Sequence, residues 1–186
     1  MNSPLPKYAE QEELVQFNDE GQRFQLHPDA LKAWKRMKNK AKTQGIELFI
    51  VSAFRSIERQ SEIIEAKKMK GVSDEDIFKV SAPPGFSEHH TGKAVDINTK
   101  GFPPFEEHFE KSDAFRWLSV NAKDFGFHLS YLKKNKYGIA YEPWHWFYDG
   151  EAQQGNDDNS CSAEIKRDGP SNAVPSWFHE PSFEKR

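Results

Sequence analysis

The 186-residue chain carries 26 Lys and Arg against 29 Asp and Glu, a formal net charge of -3, and 13% of its residues are aromatic. That aromatic content supplies a core and excludes a chain that is disordered throughout, while the mild acidity without a basic stripe argues against nucleic acid as the main partner. A single Cys161 excludes an intramolecular disulfide and a multi-cysteine zinc cluster, so a metal site must draw on histidines and carboxylates.

Residues 1–26 are read as an N-terminal extension, 27–148 as the folded domain and 149–186 as an acidic tail. The start Met1-Asn2-Ser3-Pro4-Leu5-Pro6 has neither a basic nor an apolar signal region, and no run approaches the roughly 20 apolar residues of a membrane span. From His27 to Gln44, Leu31, Trp34, Met37 and Ala41 fall on one helical face, with Pro28 in the first turn and Gly45 as the stop. Residues 46–51 form a short apolar, β-branched run of strand type, and residues 56–70 read as a second helix closed by Gly71. A short helix is expected over 74–80. Ala82-Pro83-Pro84-Gly85 breaks both periods and must be a loop. Residues 93–98 predict a strand with Ala94, Asp96 and Asn98 on one face and Val95 and Ile97 on the other. Another helix spans 112–125, capped by Ser112 and stopped by Gly126, and strands are expected over 127–131 and 144–148, joined through a turn region at 133–138. The sum is an α+β fold with a small antiparallel sheet and flanking helices. The tail, with eight acids and four bases over 149–186, opens on a polar run at 151–160; Trp177, Phe178 and Phe183 leave open whether its end docks.

Three segments carry the chemistry. Ser87-Glu88-His89-His90-Thr91-Gly92-Lys93-Ala94-Val95-Asp96 sets an imidazole in a turn and a carboxylate between Val95 and Ile97. Asp96 is costly there unless hydrogen bonds or a cation satisfy it, and a metal ion is one such cation. In Glu142-Pro143-Trp144-His145, Pro143 biases Glu142 toward polyproline geometry, whose period of three would turn Glu142 and His145 to one side. A carboxylate against that aromatic wall, with Trp144 in it, should have a raised pKa and suit a general base. Ser52-Ala53-Phe54-Arg55-Ser56, with Gln60 five residues after the arginine, runs from a strand into a helix and projects a guanidinium suited to an anion or oxyanion. Each segment alone also has a plain structural reading: Asp96 bonded to backbone amides, His145 a core histidine, Arg55 a surface ion-pair residue.

Together, in this order, the three strings resemble the motifs of the VanY-type zinc D-alanyl-D-alanine carboxypeptidases and their L,D-carboxypeptidase relatives, over roughly residues 27–148. The resemblance implies the small α+β fold of the zinc D-Ala-D-Ala peptidase and hedgehog-like type. It further implies one zinc ion per chain held by His89, Asp96 and His145, with Glu142 as catalytic base for a zinc-bound water and Arg55 on the substrate carbonyl or its anion. Gln60 and Ser87 match positions that hold the terminal carboxylate and backbone of the peptide, and Trp144 lines the substrate site. The implied activity is removal of a terminal D-amino acid from peptidoglycan stem peptides by a monomeric hydrolase of the periplasm or cell envelope. An endopeptidase with the same site and a zinc-containing wall-binding module without catalysis are the alternatives; Glu142 and Arg55 speak against the second. Two positions depart from the family's pattern: His90 stands where Gln is common, and Phe147 where Arg is common. His128 is expected to pack or to support a metal ligand, and His27, His108 and His179 to be surface or cap residues.

Overall fold

The computed structural model describes residues 4–150, so the tail beyond Gly150, with Trp177, Phe178, His179 and Phe183, lies outside the described residues. The described chain opens with a hairpin that its sequence marks weakly. Strands β1 (Val15–Asp19) and β2 (Gln22–Leu26) pair in antiparallel register about a two-residue turn, with Glu20 at φ 46° and Gly21 at φ 81°. Two positive φ values in a two-residue loop match the twist of the strands, and glutamate is a poor marker for that conformation. Phe17 and Phe24 pack on the main core and Leu26 enters it, while the Asp19 carboxylate accepts from Lys38 Nζ and from the Ile50 amide.

Helix α1 (Pro28–Thr43) is entered through His27, whose Nδ1 accepts the Asp29 N–H. It buries Ala30, Leu31, Trp34, Met37 and Ala41. Strand β3 (Phe49–Ser52) starts later than residue 46, because the Ile46 amide is used to close α1 on the Ala41 carbonyl. Helix α2 (Ile57–Met69) is capped by Ser56, and the short α3 (Asp74–Lys79) by Ser73. After strand β4 (Ala94–Asn98), helix α4 (Asp113–Asn121) is capped by Ser112 and tightens into a 3₁₀ turn over Ala122–Phe125, one turn short of the length its sequence suggests. Strands β5 (Phe127–Leu129) and β6 (His145–Tyr148) complete an antiparallel sheet of order β3-β4-β6-β5. Ser130 and Tyr131, expected in β5, leave the sheet: the Ser130 hydroxyl bonds Glu88 and the Tyr131 carbonyl accepts the Glu142 amide. Among the described residues no helix is long and apolar enough to cross a membrane.

All five residues of β4 are buried, and its alternation divides them. Val95 and Ile97 join Trp34, Met37, Phe109, Leu118, Phe127 and Trp146 in one apolar core. Asp96 faces the other way. Burial on both faces of a central strand is what makes that carboxylate a chemical feature rather than a solubilising one.

Candidate active site

Sheet register assembles half of the site. Asp96 in β4 is paired with Ser52 of β3 on one side and with His145 of β6 on the other, so three polar side chains stand in a row on the face opposite the core. His89 reaches the same place from a 3₁₀ turn over Glu88–Thr91, which ends on Gly92 at φ 64°. A Cβ there would lie 2.6 Å from Leu14 Cδ2 and 3.0 Å from the His27 amide nitrogen, so only glycine fits the turn. Potential ligand atoms of His89, Asp96 and His145 lie within 4.8 Å of one another, and all three residues are buried.

The outer partners select the atoms that face inward. His89 Nδ1 donates to the Ala53 carbonyl at 2.7 Å, which leaves Nε2 toward Asp96 Oδ2 at 3.2 Å. His145 is turned the other way: Nε2 meets Glu88 Oε2 at 2.9 Å and Nδ1 meets Asp96 Oδ1 at 3.0 Å. Two imidazole nitrogens and a carboxylate converging on one point, each imidazole oriented by an oxygen behind it, form a set that fits zinc and leaves a coordination position for water or substrate. Burial lowers the pKa of His89 and works against the charge on His145, but Asp96 and Glu88 outweigh burial and pull His145 up. Burial alone would raise Asp96; the two imidazoles hold it well below the usual carboxylate range.

Glu88 is the residue that sequence reasoning missed. It is 7% exposed and accepts hydrogen bonds from Ser130 Oγ at 2.6 Å and from Tyr8 at 3.4 Å, besides meeting His145. Its position next to His89 was the available signal, but its partners lie 42 to 80 residues away. His128, expected to pack or to support a ligand, packs edge-on against Phe147 with ring centroids 5.8 Å apart and pairs with Asp149 at 3.3 Å, because its side chain emerges on the solvent side of an edge strand.

Glu142 and His145 do face one another, with Oε2 3.8 Å from Nδ1, though by a route other than polyproline geometry. The His145 amide donates to the Glu142 carbonyl at 3.1 Å, closing a β-turn with Pro143 at its second position, where a fixed φ is favoured. Burial pushes the Glu142 carboxyl up to about 7, with Asp96 adding to the shift and His145 and Arg55 opposing it. It lines a cleft of about 640 Å³ together with Arg55, Gln60, Ser87, Trp144 and the three convergent residues.

Arg55 donates from Nη1 to Gln60 Oε1 at 2.7 Å and from Nη2 to Ser52 Oγ at 3.1 Å. Gln60 is 1% exposed and its Nε2 donates to the Ala82 carbonyl at 2.6 Å, so from the cleft wall its amide ties Arg55 to the 82–85 loop. His90, fully buried, does related work: Nδ1 donates to the Arg55 carbonyl at 2.7 Å and Nε2 accepts the Gly85 N–H at 3.1 Å. A glutamine, the residue that the motif resemblance leads one to expect here, offers the same donor and acceptor pair. His90→Gln is therefore expected to keep activity within about threefold and His90→Leu to lose at least tenfold, the order of a buried hydrogen bond left unmade; matched rates for the two variants would show that this tether does not position Arg55. The N-terminal segment braces the same region, since the Tyr8 amide bonds Gly85, the Gln11 amide bonds His90, and Glu10 Oε2 accepts the Ile57 amide at the start of α2.

With this geometry in hand, comparison with known proteins is decisive for the family. The model of the VanY family, D-alanyl-D-alanine carboxypeptidase, matches residues 23–151. The chain belongs to the VanY family. It is 35% identical over 120 residues to a D-alanyl-D-alanine carboxypeptidase of Enterococcus faecalis, covering 59% of this chain and 43% of that protein. It is also 35% identical over 163 residues to YodJ of Bacillus subtilis, covering 79% of this chain and 57% of YodJ. This VanY-family chain thus spans about half the length of these curated relatives. Among solved structures, the LdcB LD-carboxypeptidase superposes with a TM-score of 0.67 at 34% identity, over 80% of this chain and 73% of LdcB. VanY from a VanB-type resistance cassette, solved with Zn(II), superposes at 0.60 with 30% identity over 79% of this chain and 83% of its own. A structure of VanYB with D-alanine-D-alanine gives 0.61 at 30% identity, over 79% and 82%. The motifs that identify the VanY family in this chain are the ones that meet at the cleft.

Proposed function

We propose that this protein is a zinc metallocarboxypeptidase that removes the terminal D-amino acid from peptidoglycan stem peptides. One observation carries the reading: a buried carboxylate with a raised pKa, Glu142, stands 3.8 Å from the inward nitrogen of His145, beside His89 and Asp96 and within a cleft that also holds Arg55. The relatives add support, because VanY was solved with Zn(II) and VanYB with D-alanine-D-alanine.

His89 Nε2, Asp96 and His145 Nδ1 would hold the zinc ion. When bound, zinc supplies Lewis acidity and lowers the pKa of coordinated water toward neutrality. Glu142 is the group that takes a proton as water adds to the scissile carbonyl carbon, and it returns that proton to the amine nitrogen as the C–N bond breaks. Arg55, held by Gln60 and Ser52, is positioned to donate to the carbonyl oxygen as it gains negative charge. Glu88, on the Nε2 side of the ring, keeps His145 in one orientation throughout. Glu142 acts only when ionised, so activity should rise with pH through its pKa and be lost on the acid side.

A carboxypeptidase must recognise a free α-carboxylate, whereas an endopeptidase accepts a chain that continues past the cut. A stem pentapeptide with a free C-terminus is expected to lose its last residue at least tenfold faster than its C-terminal amide, the consequence of losing a charge-assisted bond of about 1.5–3 kcal/mol. Equal rates on acid and amide would move the assignment to the endopeptidase.

A further inference from the structure

Helix α2 turns Gln60, Ile63 and Lys67 toward the cleft, at spacings that place them on one helical face. Gln60 is engaged by Arg55 and Ala82, and Arg55 is fixed beside the carboxylates of Asp96 and Glu142. Lys67 is the other cation of this wall. Its ammonium donates to Ser81 Oγ at 2.7 Å, and among the described residues it forms no ion pair. Nearby lysines differ: Lys68 meets Asp74 at 3.3 Å, and Lys79 meets Glu75 at 3.0 Å. One of three N–H donors is committed to a neutral hydroxyl, so the charge is aimed but not neutralised. Partial burial and the nearby Arg55 charge both lower the Lys67 pKa, the Glu142 carboxylate opposes them only in part, and a further anion in the cleft would relieve the remaining cost.

We propose that Lys67, aimed by Ser81, is a second anion-recognising group of the cleft and takes a carboxylate of the substrate peptide, leaving Arg55 for the scissile carbonyl. The inference rests on the peptidase reading above and adds to it a residue that determines specificity. The carboxylate has two sources of the same chemistry: the C-terminus of the peptide, or an acidic side chain such as that of a diamino-dicarboxylic acid.

The test is calorimetric binding to the zinc-loaded protein in a Glu142→Gln background, with three peptides. These are N-acetyl-Lys-D-Ala-D-Ala as free acid, the same peptide as C-terminal amide, and the free acid with diaminopimelate in place of lysine. Lys67→Met keeps the length and apolar stem and removes the charge, and Lys67→Arg restores the charge. We expect Lys67→Met to weaken binding of a free acid by roughly ten- to a hundredfold, the range of one charge-assisted bond, with Lys67→Arg recovering most of it. Collapse of the acid-over-amide preference assigns the C-terminal carboxylate; collapse only of the diaminopimelate-over-lysine preference assigns the side chain. Uniform weakening across all three peptides would assign Lys67 a structural role through Ser81 and overturn the proposal, as would unchanged affinities or no binding of any peptide. Cleavage by the parent protein is read separately. Charge-dependent binding without cleavage retains the Lys67 assignment and contradicts the peptidase reading, and cleavage with charge-independent binding does the reverse.

Discussion

Glu142→Gln is expected to lower peptide turnover by roughly 10² to 10⁴, the range for loss of a general base, with zinc content unchanged. The amide keeps the shape of the side chain but cannot take the proton, and Glu142 is not one of the three convergent residues. The same substitution has a second expected effect. The Glu142 carboxyl is raised from 4.5 to about 7, so between those values the folded chain holds a proton that the unfolded chain has released. Stability of the metal-free protein is therefore lost as pH rises through that window, and the full cost is present above it. In metal-free form, Glu142→Gln should be more stable than the parent at pH 8 by on the order of 2–3 kcal/mol, with no difference near pH 4. Comparable turnover would mean another base; identical unfolding curves at pH 8 would mean that burial does not strain this carboxylate.

The second large effect concerns the metal. His89→Ala and His145→Ala are each expected to abolish stoichiometric zinc, read by metal analysis after dialysis. Each removes one of the proposed ligands and also leaves Asp96, 3% exposed, without one of its two imidazole partners. Glu88→Gln tests the layer behind them and should weaken zinc affinity by about 10- to 100-fold, as loss of an orienting carboxylate does elsewhere. Full zinc occupancy in both histidine variants would remove the ligand assignment.

What the sequence showed and what it hid follow from the range of the interactions. Helix α1 was legible because Leu31, Trp34, Met37 and Ala41 repeat at helical spacing and a local signal, Pro28, marks its start. Strand β4 was legible in its alternation, which put Asp96 opposite Val95 and Ile97. Lost to sequence reasoning were features fixed by distant partners. The hairpin at Val15–Leu26 turns on a glutamate at positive φ and is held by Asp19 reaching Ile50. Glu88 looks like a surface acid until Ser130, Tyr8 and His145 close on it. The spacing of Gln60 from Arg55 is visible in the sequence, while the Ala82 carbonyl that its amide also meets is not. The motifs named the residues; cross-strand register and loop packing set which of them converge and which brace their neighbours.

The most direct measurement of the central claim is mass spectrometry of a defined stem pentapeptide ending in D-Ala-D-Ala after incubation with the zinc-loaded protein, with Glu142→Gln in parallel. A single product shortened by the terminal D-alanine, absent with the variant, is the result this account predicts; an intact pentapeptide, or a cut at an internal bond, would contradict it.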